Sequence, residues 1–201
     1  MPEAQVVDVI VQPLYDTNTI PAAGSLNLAY FQAPIGAGVG NFGAAAAVKT
    51  IADTNMRLAG QLSSGYNFDL KGFRVQPAFT MTGTDGRNWS VGGVFTFTIA
   101  SKDYLQVPLD TIPAGMGPAG YGSGFDAATV GTNRGVSHGA PHISNGYTIG
   151  KQPLRLSQTQ NFFVTLTWVA LSPVTSTVPT QPAAGLPVRV YLDGDLIRPV
   201  Q

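Results

Sequence analysis

The chain has 201 residues, enough for one domain with a sizeable core, and its 11 basic residues balance 11 acidic ones to a formal net charge of zero. With no basic excess there is no source for the counterion release that drives nucleic-acid binding, and with no polybasic run there is no grip on an anionic membrane surface. The absence of cysteine excludes disulfides and thiolate metal sites.

Charged residues make up 11% of the chain, against about 25% in an average soluble domain, and Glu3 is the only glutamate. Interface cores are depleted of charge, so this composition predicts a surface largely covered by partner subunits. The opening Met1-Pro2-Glu3-Ala4-Gln5 has neither a basic nor an apolar leader region, so no signal peptide is expected. No apolar run approaches the roughly 18 residues of a membrane span, and the expectation is a soluble protein made in a cytoplasm.

Taken in chain order, the elements are strands. Val6 to Val11 and Leu26 to Gln32 are the first candidates, followed by a neutral Gly/Ala-rich stretch from Pro34 to Val48. Asp53 to Leu62 carries the only helical signal, with Asp53 as N-cap of a turn or two carrying Met56, Leu58 and Ala59, and Gly60 as terminator. A strand is predicted over Leu70 to Phe79. From Trp89 to Ala100, Val91, Gly93, Phe95, Phe97 and Ile99 alternate with Val94, Thr96 and Thr98, which is the pattern of a half-buried strand. Tyr104 to Leu109 is a further candidate strand, as is Ile143 to Ile149 near the end of an excursion from Ala114 to Gly150 that holds ten glycines, a connection long enough to imply a job such as an assembly arm. Asn161 to Leu171 alternates again, with Phe162, Val164, Leu166 and Trp168 on one face. After a Pro-bounded loop at Pro179 to Pro187, Leu186 to Leu192 and Leu196 to Val200 read as a hairpin about Asp193-Gly194. The predicted fold is a single all-β domain over residues 1–201, an antiparallel two-sheet sandwich of jelly-roll type with at most one short helix.

Chemistry-bearing motifs are weak. Gly38-Val39-Gly40-Asn41-Phe42-Gly43 has dinucleotide-fingerprint spacing, but Pro34 breaks the incoming strand and no helix long enough to carry a pyrophosphate follows. His138 and His142 flank Gly139-Ala140-Pro141, which cannot hold them on one helical face, even with Asp126 as a third ligand. Ser137 beside His138 lacks an elbow motif, and Asp193-Gly194-Asp195 supplies two carboxylates where calcium needs six to eight oxygens. Asn88-Trp89-Ser90 fits the glycosylation acceptor pattern, which matters only in a secretory pathway. No catalytic, cofactor-binding or metal residue is assigned, and the chain is read as a non-enzyme. Phe31, Phe79, Phe95, Phe97, Phe163, Tyr147, Tyr191, Trp89 and Trp168 are read as core and interface filling.

Two segments resemble a known group. Lys49-Thr50-Ile51-Ala52-Asp53-Thr54-Asn55-Met56-Arg57-Leu58-Ala59-Gly60-Gln61-Leu62, with the strand through Phe73 and Phe79, is similar to a stretch in jelly-roll structural proteins of phage particles. The closing Val188-Arg189-Val190-Tyr191-Leu192-Asp193-Gly194-Asp195-Leu196-Ile197-Arg198-Pro199-Val200 is similar to their terminal hairpin. The resemblance implies a virion subunit of cement or decoration type that stabilises a capsid as a homo-oligomer, a trimer by preference, against a major capsid protein or neighbouring virion subunits. A single jelly-roll major capsid subunit and a carbohydrate- or host-receptor-binding head domain are the alternatives.

Overall fold

The computed structural model describes residues 7–21, 23–41, 47–77, 92–112, 146–170 and 185–200. Ten strands run in chain order: β1 (Val7–Val11), β2 (Leu14–Pro21), β3 (Asn27–Tyr30), β4 (Asn67–Pro77), β5 (Gly93–Ile99), β6 (Lys102–Pro108), β7 (Tyr147–Thr148), β8 (Leu154–Ser157), β9 (Phe162–Trp168) and β10 (Gly185–Pro199). The one helical turn among the described residues is a 3-10 turn at Leu109–Thr111.

Every strand pairing is antiparallel, and the pairs are nested. The 15-residue β10 takes β2 along its first half and β1 along its second on one side, and β4 on the other. β4 in turn pairs with β8 and β7, so the first sheet is four strands wide although six strands build it. The second sheet has the order β3-β9-β5-β6. The first strands thus pair with the last, β3 with β9, β4 with β8 and β5 with β6.

The two sheets face each other across one apolar core. Alternation places Phe162, Val164, Leu166 and Trp168 of β9 inward, as their period-2 spacing predicts, and Phe95, Phe97 and Ile99 of β5 with them. Phe73 of β4 reaches across and meets Phe95 and Phe97 at 5.1 and 5.0 Å between ring centroids. Thr96 and Thr98 are buried too, against the expectation of a half-exposed strand. These short side chains lie between neighbours on both sides, Thr96 flanked by Gln106 and Thr165, and the Thr98 hydroxyl hydrogen-bonds Asp103.

Three readings of the sequence need correction. The first is the terminal hairpin: Asp193-Gly194 is no turn but the midpoint of one continuous strand, where β4 carries an extra residue, Lys71, between Gly72 opposite Asp193 and Leu70 opposite Gly194. This bulge switches the phase of β4, so that Phe68 and Leu70 before it and Phe73 and Val75 after it all point into the core. Glycine is required at 194 because a Cβ there would run into the carbonyl oxygen of Asp69 and the Phe68 ring. Gly194→Ala is therefore expected to destabilise by about 1–3 kcal/mol through overpacking, measured by thermal unfolding. An unchanged Tm would restore the turn reading.

The second correction is the helix over Asp53 to Leu62, which is a run of turns with isolated bridges. Thr54 and Asn55 turn their side chains to β2 and the residue before it, and Asp53 holds the Asn41 and Thr50 amides, so these groups serve tertiary and turn contacts rather than a helix. Gly60 does adopt a left-handed conformation (φ +61°), but to join two strands: its N–H donates to the Phe31 carbonyl and its own carbonyl accepts from Phe162. Third, β2 and β8 were not expected as strands at all. The Ala114 to Gly150 excursion lies outside the described residues up to 145, as do Phe79, Trp89 and the Asn88-Trp89-Ser90 pattern.

Candidate assembly face

The outward face of the first sheet concentrates the side chains that interfaces use. Along β10, Leu186, Val188, Val190 and Leu192 point inward, which turns Arg189, Tyr191 and Asp193 outward. The register brings Tyr15 of β2 opposite Tyr191 on one side and Arg74 of β4 opposite it on the other. A ladder results: the Arg189 guanidinium lies 5.4 Å from the Tyr15 ring, the Arg74 guanidinium 4.3 Å from the Tyr191 ring, and the two tyrosine rings are 6.1 Å apart. Arg74 also grips Asp193 with two hydrogen bonds of 2.6 Å, so these two opposite charges offset each other. Burial pushes the Tyr15 hydroxyl above its usual range, with Arg189 pulling the other way. Tyrosine and arginine held rigid by such stacking are the residue types that anchor protein interfaces.

Beyond Asp193 the same face turns aliphatic. Val7, Val9 and Val11 stand opposite Pro199, Ile197 and Asp195, and the three valines are 47%, 60% and 75% exposed. Asp8 lies on the other face of β1, 3.6 Å from Arg198.

The edges of the two sheets are treated differently. The β2 edge is closed by the segment 50–56: the Tyr15 N–H donates to Asn55 Oδ1, the Tyr15 carbonyl accepts from the Thr54 hydroxyl, and the Pro13 carbonyl accepts from Asn55 Nδ2. Asn41 Nδ2 caps the Thr17 carbonyl in the same way. This cover is fixed from inside by two buried aspartates. Asp53 accepts from the Asn41 and Thr50 backbone amides at 2.7 and 3.0 Å. Asp16, on the inward face of β2, holds Lys49 Nζ at 2.6 Å with one oxygen and the Phe31 N–H at 2.6 Å with the other. Phe31 is a non-glycine residue at φ +67°, so the carboxylate fastens a strained corner. Burial raises the Asp16 carboxyl above its ordinary range, an effect that Lys49 opposes.

Elsewhere the edges are guarded by polar groups. Asn18 Nδ2 caps the Ala29 carbonyl of β3, β6 exposes Lys102 and Asp103, and β8 carries Arg155 in a two-bonded pair with Asp69 that holds the Asp69 carboxyl below its usual range. Among the described residues, nothing pairs with the second edge of β1.

The residues singled out for chemistry have other work. Gly38 and Gly40 let the loop fold on itself: a Cβ at Gly38 would meet Ala33, and one at Gly40 the Val48 carbonyl. The amides that a phosphate would need are spent, Gly36 N–H on the Lys49 carbonyl, Gly40 N–H on the Ala47 carbonyl and Asn41 N–H on Asp53. Asp193 and Asp195 are drawn to Arg74 and Lys71 rather than to one centre. His138, His142, Ser137 and Asp126 lie outside the described residues. Phe73, Phe97, Tyr104, Tyr147, Pro153 and Leu154 line a half-open pocket of about 360 Å³, with Gln152 as the one amide side chain on its wall. Comparison with family models, curated proteins and solved structures finds no match. What the chain does is therefore read from the face itself.

Neither component of this face was legible beforehand. The Arg–Tyr ladder is assembled from residues 15, 74, 189 and 191, which meet only through the strand register. Val7, Val9 and Val11 do alternate in the sequence, but Ile10 makes the opposite face apolar as well, so the pattern does not say which side is outward.

Proposed function

We propose that the chain is a structural subunit of a virus particle, a jelly-roll protein of capsid cement or decoration type that oligomerises and reinforces a shell. The observation that carries this reading is the outward face of the first sheet, where a valine stripe runs into an Arg–Tyr ladder on a chain with 11% charged residues. The nested pairing of first strands with last supports the jelly-roll form, since rolling one long antiparallel hairpin produces two four-wide sheets in this order. A trimer is preferred because a heterologous contact between one sandwich edge and another surface closes into a ring.

Light scattering on the purified protein is expected to give about three times the 21.0 kDa chain mass. Quantitative mass spectrometry of particles from a producing host should find the chain at the copy number of a shell component. A monomer at every concentration, together with absence from particles, would overturn the proposal. A copy number matching the full lattice would instead favour the major capsid subunit. A blank glycan array is expected, because a sugar ring needs several paired hydrogen-bond partners and the half-open pocket is walled mainly by aromatic and aliphatic groups.

A further inference from the structure

We propose that β1 is a self-complementary docking edge: it pairs antiparallel with β1 of a second copy of this chain, with Val9 on the two-fold axis. The inference rests on the reading of the chain as an assembling subunit and adds to it a two-fold contact between subunits, separate from the heterologous contact that closes a ring, together with its register. Three observations carry it.

First, β1 keeps a backbone edge that nothing covers among the described residues, while β2, which shares the same side of β10, is sealed by the segment 50–56. Alternate residues of an edge strand turn their N–H and C=O groups away from the sheet, and these groups are a template for another strand. Second, the side chains on the outward face of that edge are Val7, Val9 and Val11, exposed by 47%, 60% and 75%, continuous with Ile197 on β10. A surface this apolar on the strand that lacks protection calls for a strand with the same pattern.

Third, charge selects the register. A two-fold axis perpendicular to the sheet keeps valines beside valines only if the paired residue numbers sum to an even value. Centring on Asp8 would set two carboxylates side by side, which is unfavourable. Centring on Val7, Ile10 or Val11 leaves part of the five-residue strand unpaired. Centring on Val9 pairs all five: Val7 with Val11, Asp8 with Ile10, and Val9 with its own copy. Each Asp8 then faces an aliphatic neighbour and stays beside Arg198 of its own subunit. A partner of unrelated sequence would have to match this pattern independently, whereas a second copy matches it by symmetry.

Five residues of edge contact bury less than the roughly 1,200 Å² of a stable complex, so the pairing is weak between free subunits and gains strength where other contacts hold them together. Covalent trapping reads it out, and the cysteine-free chain makes that test clean. Paired antiparallel residues have Cα atoms about 4.5–5.5 Å apart, within the disulfide range of about 4.4–6.8 Å. Val9→Cys should therefore form a disulfide-linked dimer under mild oxidation. Val7→Cys should not, because its two copies would be offset by four residues, about 13 Å along the strand. The double variant Val7→Cys/Val11→Cys should link again.

Val169→Cys, placed at a residue 92% exposed, reports random collision. Cross-linking of Val9→Cys is expected to be faster than this control by on the order of tenfold, because a paired strand holds the sulfurs at bonding distance. Val9 is exposed and valine and cysteine are similar in size, so thermal unfolding of the reduced variant should match the parent chain. Linking at Val9 no faster than at Val169, or equal linking at Val7 and Val9, would overturn the pairing even if the subunit still oligomerises and enters particles. Register-specific linking in a chain that never enters particles would leave the edge contact standing and remove the virion role.

Discussion

Phe97→Ala is expected to destabilise the fold by about 3–5 kcal/mol, the usual cost of truncating a fully buried aromatic residue. The ring has no exposed surface and sits on the central strand β5, with Leu105 opposite it on β6 and Val164 on β9. Its main contact crosses the sandwich: Phe73 of the other sheet lies 5.0 Å from it, and Phe73 also touches Phe95 and lies 6.5 Å from Tyr147. Removing Phe97 thus opens a cavity at the point where the sheets grip each other, next to the 360 Å³ space already present beside Phe73 and Tyr147. With a typical domain stability of about 5–15 kcal/mol, the variant should be marginally folded. Chemical unfolding with the slope unchanged is the measurement. A loss below about 1 kcal/mol would mean that the two sheets do not meet through this ring.

The same two strands show what made the fold readable. In β5 and β9 large apolar residues alternate with threonine over five residues, Phe95 to Ile99 and Val164 to Trp168, and period identifies strand and face. β2 failed that test because its inward positions are Leu14, Asp16, Asn18 and Ile20, polar in the middle where an ordinary core strand is apolar. Its side-chain partners Lys49 and Asn55 lie more than 30 residues away, and even Phe31 and Asn41 are beyond any local pattern. β8 is only four residues long. At Asp193-Gly194 the composition of a tight turn and that of a close backbone approach are the same, and only the carbonyl of Asp69 distinguishes them. The segment from Asp53 had the residues of a helix cap, but Asp53 and Thr54 are acceptors and donors for other segments, so the local signal was overridden by tertiary bonds. The outward Arg–Tyr and valine face was foreshadowed only by the scarcity of charge, which says nothing of where on the surface such residues collect.

Lys49→Met is expected to cost about 3–5 kcal/mol at neutral pH, because it leaves the Asp16 carboxylate buried without its counter-charge. Lys49 and Asp16 side chains are 6% and 0% exposed, so water cannot replace the lost partner. The pH dependence has a definite sign. In the native chain burial already holds the Asp16 carboxyl above its ordinary value, with Lys49 pulling it down. A carboxyl raised in the folded state contributes stability that is fully present below its unfolded value of about 3.9 and is lost as pH rises through the folded value. Without Lys49 the folded value rises further, so the deficit of the variant should be smallest near pH 4, where the folded acid is neutral and about half of the unfolded chains are protonated, and should grow toward pH 7. Asp16→Asn in the Lys49→Met background removes the buried charge while keeping an oxygen for the Phe31 N–H, and should recover much of the loss and flatten its dependence on pH. Urea unfolding of the parent, single and double variants between pH 4 and 8 reads all of this out. A deficit that is constant across that range would show that Lys49 acts by packing alone and that the Asp16 carboxyl carries no buried charge.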